Sequence, residues 1–141
     1  MSGWAQYAQM VKKCNNQIWG AGIFGHDGTL WGQDGLPMST QAEVAEVRKV
    51  IAQLVGLCVE DVDNSNAIFQ TGFKFINKEW AVVRLESNQI AAKGKAPNTA
   101  QFCLRKTGRC TVIAVAHAEG ANTNAISGAS QVADFLEASG Y

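Results

Sequence analysis

The sequence lacks an excess of charge of either sign, and it contains no long apolar run. Its 141 residues include 12 basic and 12 acidic side chains, so the formal net charge at pH 7 is zero. A chain without net charge produces no overall field that would hold a polyanion, which argues against nucleic acid as a partner. No stretch approaches the roughly 20 apolar residues of a transmembrane helix, and the first residues show no secretory signal pattern. We therefore expect a cytoplasmic protein.

The cysteines lack the spacing of a metal site or of a disulfide framework. They form no CxxC pair and no zinc-finger pattern, and the sequence has no N-x-S/T glycosylation site. We therefore expect Cys14, Cys58, Cys103 and Cys110 to be free thiols.

Motifs of enzymatic chemistry are incomplete or absent. Gly20–Gly25 matches GxGxxG, but a turn and a second strand follow where a dinucleotide site needs a helix. Asp61–Gly72 begins like a calcium loop, yet its sixth residue is Asn66 and its twelfth is not glutamate. Neither His26 nor His117 belongs to an HExxH or a nucleophile-elbow pattern. We expect a binding protein without catalytic activity, metal ion or cofactor.

The composition is that of an ordinary globular domain. Hydrophobic residues make up 47% of the chain and charged residues 17%. A chain of this length has the usual size of one domain, so we expect a single domain over residues 1–141.

Three segments have the apolar spacing of amphipathic helices, in which side chains recur at intervals of three and four residues. The predicted helices are a first from Trp4 to Ile18 capped by Ser2, a second from the capping box Thr40–Glu43 to Gly56, and a third along the Ile126–Leu136 stripe ending at Gly140.

Between the helices, runs rich in β-branched and aromatic residues are joined by short polar connections. Asp27-Gly28 and Lys106–Arg109 are typical of hairpin turns, and parallel strands would need longer crossovers. An α/β protein of the α+β type follows, with helices packed on an antiparallel sheet. The predicted strands are Ile18–Phe24, Thr29–Trp31, Ala67–Gln70, Phe73–Ile76, Trp80–Leu85, Gln89–Ala92, Gln101–Arg105 and Thr111–His117.

Aromatic residues near both ends of the chain are the first candidates for a binding surface. Trp4 and Tyr7 share the apolar stripe of the first helix, where each ring can bury its body and keep its polar edge in water. Phe135 lies about 110° from the centre of the third helix's stripe, and Tyr141 follows that helix. If the terminal helices lie side by side, these rings form one groove. Aromatic grooves of this kind bind polyproline II segments.

Six short motifs follow one another along nearly the whole chain: Trp4–Tyr7, Gly25–Trp31, Thr71–Phe75, Lys106–Gly108, Ala133–Leu136 and Ser139–Tyr141. In their order and spacing they resemble those of the profilin family. The resemblance implies a central antiparallel sheet with the N- and C-terminal helices on one face and short helices on the other. It also implies a monomer that binds monomeric actin, promotes exchange of actin's nucleotide and binds proline-rich assembly factors such as formins. Phosphoinositide head groups are a further implied ligand.

The same resemblance assigns two sets of site residues. Four residues depart from the family pattern: Ile76-Asn77 replaces a frequent pair of glycines, Glu79 replaces a common basic residue, and Phe135 replaces histidine or tyrosine. The implied polyproline site is Trp4, Tyr7, Trp31, Phe135, Ser139 and Tyr141, and the implied actin site is Lys78, Ala81, Arg84, Lys93, Lys95, Thr123, Ser127 and Gln131.

Two alternatives stay open on the sequence. A small trafficking adaptor of the longin or roadblock type also wraps helices around an antiparallel sheet, but it would not require the five aromatic residues to converge. An enzyme could use Cys110 or Cys58 with His117, if the fold brought a thiol and an imidazole together.

Overall fold

A computed structural model of the chain describes residues 3–63, 65–96, 100–117 and 124–141. Within these ranges, no helix is both long enough and apolar enough to cross a membrane. In chain order the elements are α1 (Trp4–Cys14), β1 (Ile18–Gly25), β2 (Leu30–Asp34), α2 (Gln41–Leu57), α3 (Ile68–Thr71), β3 (Phe73–Phe75), β4 (Lys78–Leu85), β5 (Gln89–Gly94), β6 (Gln101–Lys106), β7 (Cys110–Ala116) and α4 (Asn124–Ala138).

The strands form one curled antiparallel sheet in the order β2-β1-β7-β6-β5-β4-β3. Strands β3 to β7 are a meander, and the β1–β2 hairpin joins it because β1 pairs with β7. The antiparallel sheet predicted from the short connections is confirmed. Gly20–Gly25 lies inside β1 and the β1–β2 turn follows it, so this glycine-rich run precedes a second strand and not a helix.

The strand predicted over Ala67–Gln70 is wrong, because this segment forms the short helix α3. The Asn66 side-chain oxygen accepts a hydrogen bond from the Ile68 amide at 2.9 Å, and the Asn66 carbonyl accepts one from the Phe69 amide at 3.1 Å. Local bonds of this kind stabilise a turn of helix against an extended strand.

The prediction that the first helix extends to Ile18 is also wrong. Helix α1 ends at Cys14, and Asn15 is extended with φ −156° and ψ 130°. The Asn15 side-chain oxygen accepts a hydrogen bond from the Gln17 amide at 2.8 Å, and this local bond competes with the helix. Ile18 is consequently buried at the start of β1. The predicted cap Ser2 lies outside the described residues.

The predicted capping box at the start of α2 is confirmed. The Glu43 amide donates to the Thr40 hydroxyl oxygen at 3.1 Å, and the Thr40 amide donates to the Glu43 carboxylate at 3.2 Å. The helix does not stop at Gly56 as predicted; it continues to Leu57.

Helices pack on both faces of the sheet. The terminal helices α1 and α4 cover one face, where Val11 and Leu136 are fully buried with residues of β1, β6 and β7. The other face is covered by α2 and α3, which bury Ile51 and Ile68 in a second core. This confirms the predicted class and layering, although α2 is 17 residues long and exceeds the short helix that the resemblance implied.

Candidate functional site

Five aromatic side chains from both ends of the chain form one cluster. The Trp4 ring lies 5.3 Å from the Tyr7 ring and 4.8 Å from the Trp31 ring, centroid to centroid. Tyr141 meets Trp4 edge to face at 5.0 Å and 89°, and Tyr7 lies 6.2 Å from Phe135. Edge-to-face contacts are favoured by the ring quadrupoles. The structure thus brings together all five aromatic residues that the sequence predicted for the groove.

The packing of the terminal helices produces this cluster. Helix α1 carries Trp4 and Tyr7, β2 carries Trp31, and α4 carries Phe135, all on the α1–α4 side of the sheet. The first three rings are partly buried against the core, whereas Phe135 is 49% exposed and Tyr141 38% exposed. The exposure of Phe135 agrees with its predicted position away from the apolar stripe.

Ser139 lies beyond the last turn of α4, close in sequence to both exposed rings. Its side chain is exposed, and its hydroxyl donates to the Phe135 carbonyl at 3.0 Å. The hydroxyl is therefore engaged by the end of its own helix.

A second surface with cationic side chains lies on the same side of the sheet. Ala81 of β4 pairs with Lys93 of β5, and Arg84 pairs with Ala91. The Arg84 side chain is 58% exposed, and its Nε lies 3.4 Å from a carboxylate oxygen of Glu86. An exposed ion pair of this kind contributes little to stability, so the guanidinium can exchange partners.

A cavity of about 390 Å³ opens between these strands and the start of α4. Two cationic residues of the predicted actin site line this cavity, together with apolar residues of the sheet and of α4. Its lining includes Val83, Arg84, Lys93, Gln101, Ala125 and Ile126.

Val83 is a member of this surface that the sequence analysis missed. The residue is 60% exposed, and it lies where the pairing of β4 with β5 shifts register between Val82 and Arg84. A β-bulge inserts one extra residue into a strand, so Val83 and Arg84 are both exposed between the buried Val82 and Leu85. The apolar run Ala81–Val83 gave no signal for this, since a bulge cannot be distinguished from a regular strand by composition.

Two lysines predicted for the same surface have other contacts. The Lys95 ammonium donates to the Thr71 carbonyl at 3.0 Å, which holds it against the end of α3. The Lys78 ammonium lies 6.0 Å from the centre of the Trp19 ring, and Trp19 packs against the core beneath α2. Lys78 thus extends towards the opposite face of the sheet.

The remaining residues of the predicted actin site belong to α4 or precede it. Gln131 donates from its side-chain amide to the Ser127 hydroxyl at 3.2 Å, one helical turn away. Thr123 lies outside the described residues.

Comparison with known proteins agrees with this architecture. The family model described as Profilin matches residues 2–141. The chain belongs to the profilin family.

Its fold is similar to that of Acanthamoeba castellanii profilin II, at 21% identity, a TM-score of 0.74, and coverage of 99% of this chain and 100% of that one. It is also similar to mouse profilin IIa in complex with a double repeat from the FH1 domain of mDia1, at 18% identity, a TM-score of 0.69, and coverage of 99% and 100%. A third similar structure is LokiProfilin2 in complex with rabbit actin, at 13% identity, a TM-score of 0.71, and coverage of 96% and 97%.

Profilin-family proteins are non-enzymatic, actin-binding proteins of the cytoskeleton. Membership favours this kind of function over the longin or roadblock alternative.

The chain keeps the family fold although Ile76 and Asn77 replace the frequent glycines. Both residues have left-handed φ angles, 51° and 62°, at the two-residue β3–β4 turn. Ile76 is only 7% exposed, so burial of its side chain offsets an unfavourable backbone conformation for a β-branched residue.

Among the described residues, no hydrogen bond joins a thiol to an imidazole. The His26 Nε2 atom lies 2.9 Å from the Thr107 carbonyl oxygen and 3.2 Å from the Cys110 carbonyl oxygen, while the exposed His117 has its ring 6.3 Å from that of Trp19. All four cysteines are free, and within the described ranges no group of three potential ligands could hold a metal ion. Burial raises the pKa of Cys58 to about 11 and the pKa of Cys103 to about 12.

Thiol reactivity follows from these pKa shifts. At pH 7.5 we expect native Cys58 and Cys103 to react with iodoacetamide at least about 100-fold more slowly than the same residues in urea, because only the thiolate is nucleophilic and burial also blocks access. Mass spectrometry of timed samples measures both rates. Complete modification of native Cys58 within minutes would contradict the assignment and reopen the enzyme alternative.

Proposed function

We propose that this chain binds an actin monomer on its β4–β5 surface and a proline-rich segment in its aromatic groove, and so delivers actin to assembly factors. The observation that supports this most is the convergence, on one side of the sheet, of four aromatic rings from α1, β2 and α4 with the ring of Tyr141, which follows α4. Two of the similar proteins were solved with the corresponding kinds of partner, an FH1 repeat and actin. The chain performs no chemistry on either partner.

The groove has the chemistry that a polyproline helix requires. A polyproline II segment has no internal hydrogen bonds, so its carbonyls are free to accept hydrogen bonds from donors of the protein. Its proline rings pack against the faces of aromatic side chains. The hydroxyls of Tyr7 and Tyr141 can serve as donors, and Phe135 offers a half-exposed face. We propose that Trp4 and Trp31 form the floor of the groove and that Ser139 lies at its edge.

Titration with a proline decamer tests the groove directly. Because Trp4 and Trp31 lie inside the cluster, binding should change the intrinsic tryptophan fluorescence with a saturable dependence on peptide concentration. An alanine- and serine-based peptide of equal length is the control. No saturable change at millimolar peptide would overturn the proposal for the groove.

Phe135→Tyr should tighten proline binding by about twofold to tenfold, because a tyrosine hydroxyl adds a donor worth roughly 0.5–1.5 kcal/mol at an exposed ring. Isothermal titration calorimetry with the decamer measures the gain. The thermal unfolding midpoint should stay unchanged, since Phe135 is 49% exposed. Weaker binding by the tyrosine variant would show that the groove uses this position for apolar contact alone.

Arg84→Glu should weaken actin-monomer binding by at least about tenfold while leaving proline affinity unchanged, because it reverses a charge beside the cavity of the proposed actin surface. Arg48→Glu is a matched control. Arg48 is 56% exposed, forms a 3.4 Å ion pair with Asp27 and lies on α2, on the opposite face of the sheet. Competition binding with labelled actin measures both variants, and equal losses would contradict the assignment of the surface.

We extend this proposal to two further activities that the family resemblance implies, nucleotide exchange on actin and phosphoinositide binding. Faster nucleotide exchange on actin would follow if the chain binds an open form of actin more tightly than a closed one. Exchange of a fluorescent nucleotide from actin tests this, and sedimentation with phosphoinositide vesicles tests lipid binding. We further propose a monomeric single domain acting in the cytoplasm.

A further inference from the structure

The chain reverses direction sharply after α4. The Gly140 amide donates to the Glu137 carbonyl at 3.1 Å, and the Tyr141 amide donates to the Leu136 carbonyl at 2.9 Å. Gly140 has a φ of +97°. These two bonds and the left-handed residue form a Schellman motif, which directs residue 141 back towards the sheet.

Tyr141 then contacts the turn between β6 and β7. The Arg109 amide donates to the Tyr141 carbonyl oxygen at 2.7 Å, and the Thr107 hydroxyl donates to the same oxygen at 3.0 Å. A hydroxyl has one proton, and for Thr107 the Tyr141 oxygen is the nearest acceptor: the Cys110 carbonyl oxygen lies at 3.2 Å, and the Cys110 sulfur at 3.1 Å can itself donate to the hydroxyl. The backbone of Tyr141 is therefore held by two donors from one turn.

The turn that holds Tyr141 is itself braced. Its Thr107 amide donates to the Cys110 carbonyl at 2.8 Å, and the Cys110 amide donates to the Thr107 hydroxyl oxygen at 3.1 Å. The His26 Nε2 atom lies 2.9 Å from the Thr107 carbonyl and 3.2 Å from the Cys110 carbonyl. Both neighbours are acceptors, so Nε2 carries a proton and donates. The turn is fixed before any ligand arrives.

The ring of Tyr141 has less support than its backbone. The ring is 38% exposed, and its aromatic contact is the edge-to-face one with Trp4. Ordering a mobile side chain on binding reduces affinity. The backbone bonds to Thr107 and Arg109 thus determine where the ring stands when a ligand enters the groove.

We propose that Thr107 is a positioning residue for polyproline recognition: from outside the groove, its hydroxyl fixes Tyr141 and thereby preorganises the ligand-facing ring. This inference rests on the proposed function of the groove. Thr107 is 4% exposed, so its side chain offers almost no surface to a ligand. Loss of its hydroxyl also removes the acceptor of the Cys110 amide and should lower stability, whereas its effect on proline affinity should act through Tyr141.

Thr107→Val and Thr107→Ser test the hydroxyl. The valine variant keeps the shape and loses both the donor to Tyr141 and the acceptor of the Cys110 amide, and we expect its Kd for a proline decamer to rise by about threefold to tenfold. The serine variant keeps the donor and should bind within about twofold of the unmodified chain. Equal affinity of the valine variant and the unmodified chain would overturn the proposal. If the unmodified chain does not bind the decamer, the proposed groove fails first, so the two failures are distinguishable.

A double-mutant cycle separates positioning from general loss of structure. In a Tyr141→Ala background, Thr107→Val should cause no further loss of proline affinity, because the residue on which it acts is gone. A full additional loss in that background would contradict the proposal. Gly140→Ala provides a second variant: no atom lies within 4 Å of its added Cβ, but its left-handed φ disfavours alanine. It should weaken proline binding in the same way and leave actin binding unchanged.

Discussion

Replacing Trp4 with alanine is expected to abolish measurable binding of a proline decamer. The Trp4 ring contacts Tyr7, Trp31 and Tyr141, so its loss removes the centre of the cluster as well as one face of the groove. A central aromatic residue of this kind typically contributes about 2–4 kcal/mol, which corresponds to a roughly 30-fold to 1000-fold higher Kd. Calorimetry measures the affinity without depending on tryptophan fluorescence.

Trp19→Ala is the matched control for this experiment. Trp19 is also a partly buried tryptophan, but it packs against the core beneath α2, on the opposite face of the sheet. Both variants should lose stability, since each removes a large ring from a core edge. Only Trp4→Ala should lose proline affinity, and comparable losses in both would show that the effect is unfolding.

Gly72→Ala is expected to lower the free energy of unfolding by about 3 kcal/mol or more. Gly72 has a φ of +66°, and a Cβ atom there would overlap the backbone carbonyl oxygen of Trp80. With a ψ of −159° this is a conformation almost restricted to glycine, which costs an alanine roughly 1–3 kcal/mol, and forcing β4 away from this position costs roughly 1–3 kcal/mol more. Trp80 is fully buried and donates from its indole to the Phe75 carbonyl at 3.1 Å, so it has little room to move.

Gly56→Ala separates this steric effect from the general effect of replacing glycine. Gly56 lies inside α2 with no atom within 4 Å of an added Cβ, so alanine should raise stability by up to about 1 kcal/mol. Urea unfolding followed by circular dichroism compares the two variants. A loss below about 1 kcal/mol for Gly72→Ala would mean that β4 adapts easily at this position.

Local signals in the sequence predicted most of the fold. The alternation and short connections gave the antiparallel sheet, and the Thr40–Glu43 pattern located the start of α2. The errors arose where side-chain bonds to the backbone outweighed periodicity, as at Asn15, which ends α1, and Asn66, which starts α3. Neither bond can be recognised from apolar spacing, because each depends on one polar side chain.

The two candidate surfaces differed in how far the sequence could predict them. The aromatic groove could be predicted because Phe135 lies away from the apolar stripe of α4, and because Trp4 and Tyr7 lie at the start of α1. The proposed actin surface was harder to predict, since Val83 and Arg84 are both exposed at a register shift between β4 and β5, and Lys78 extends towards Trp19 on the opposite face. Periodicity describes single elements, whereas these features arise from pairing between strands.

Helix α4 links the two surfaces by a fixed length. Ile126 lines the cavity near its start, Phe135 belongs to the aromatic cluster near its end, and the residues between them are continuously helical. At a rise of 1.5 Å per residue, these two positions lie about 14 Å apart along the axis. If both partners bind, the helix acts as a rigid spacer that holds the proline-rich chain close to the actin monomer. Actin would then be presented at a high effective concentration to whatever the proline-rich chain is attached to, without any change in the shape of the protein.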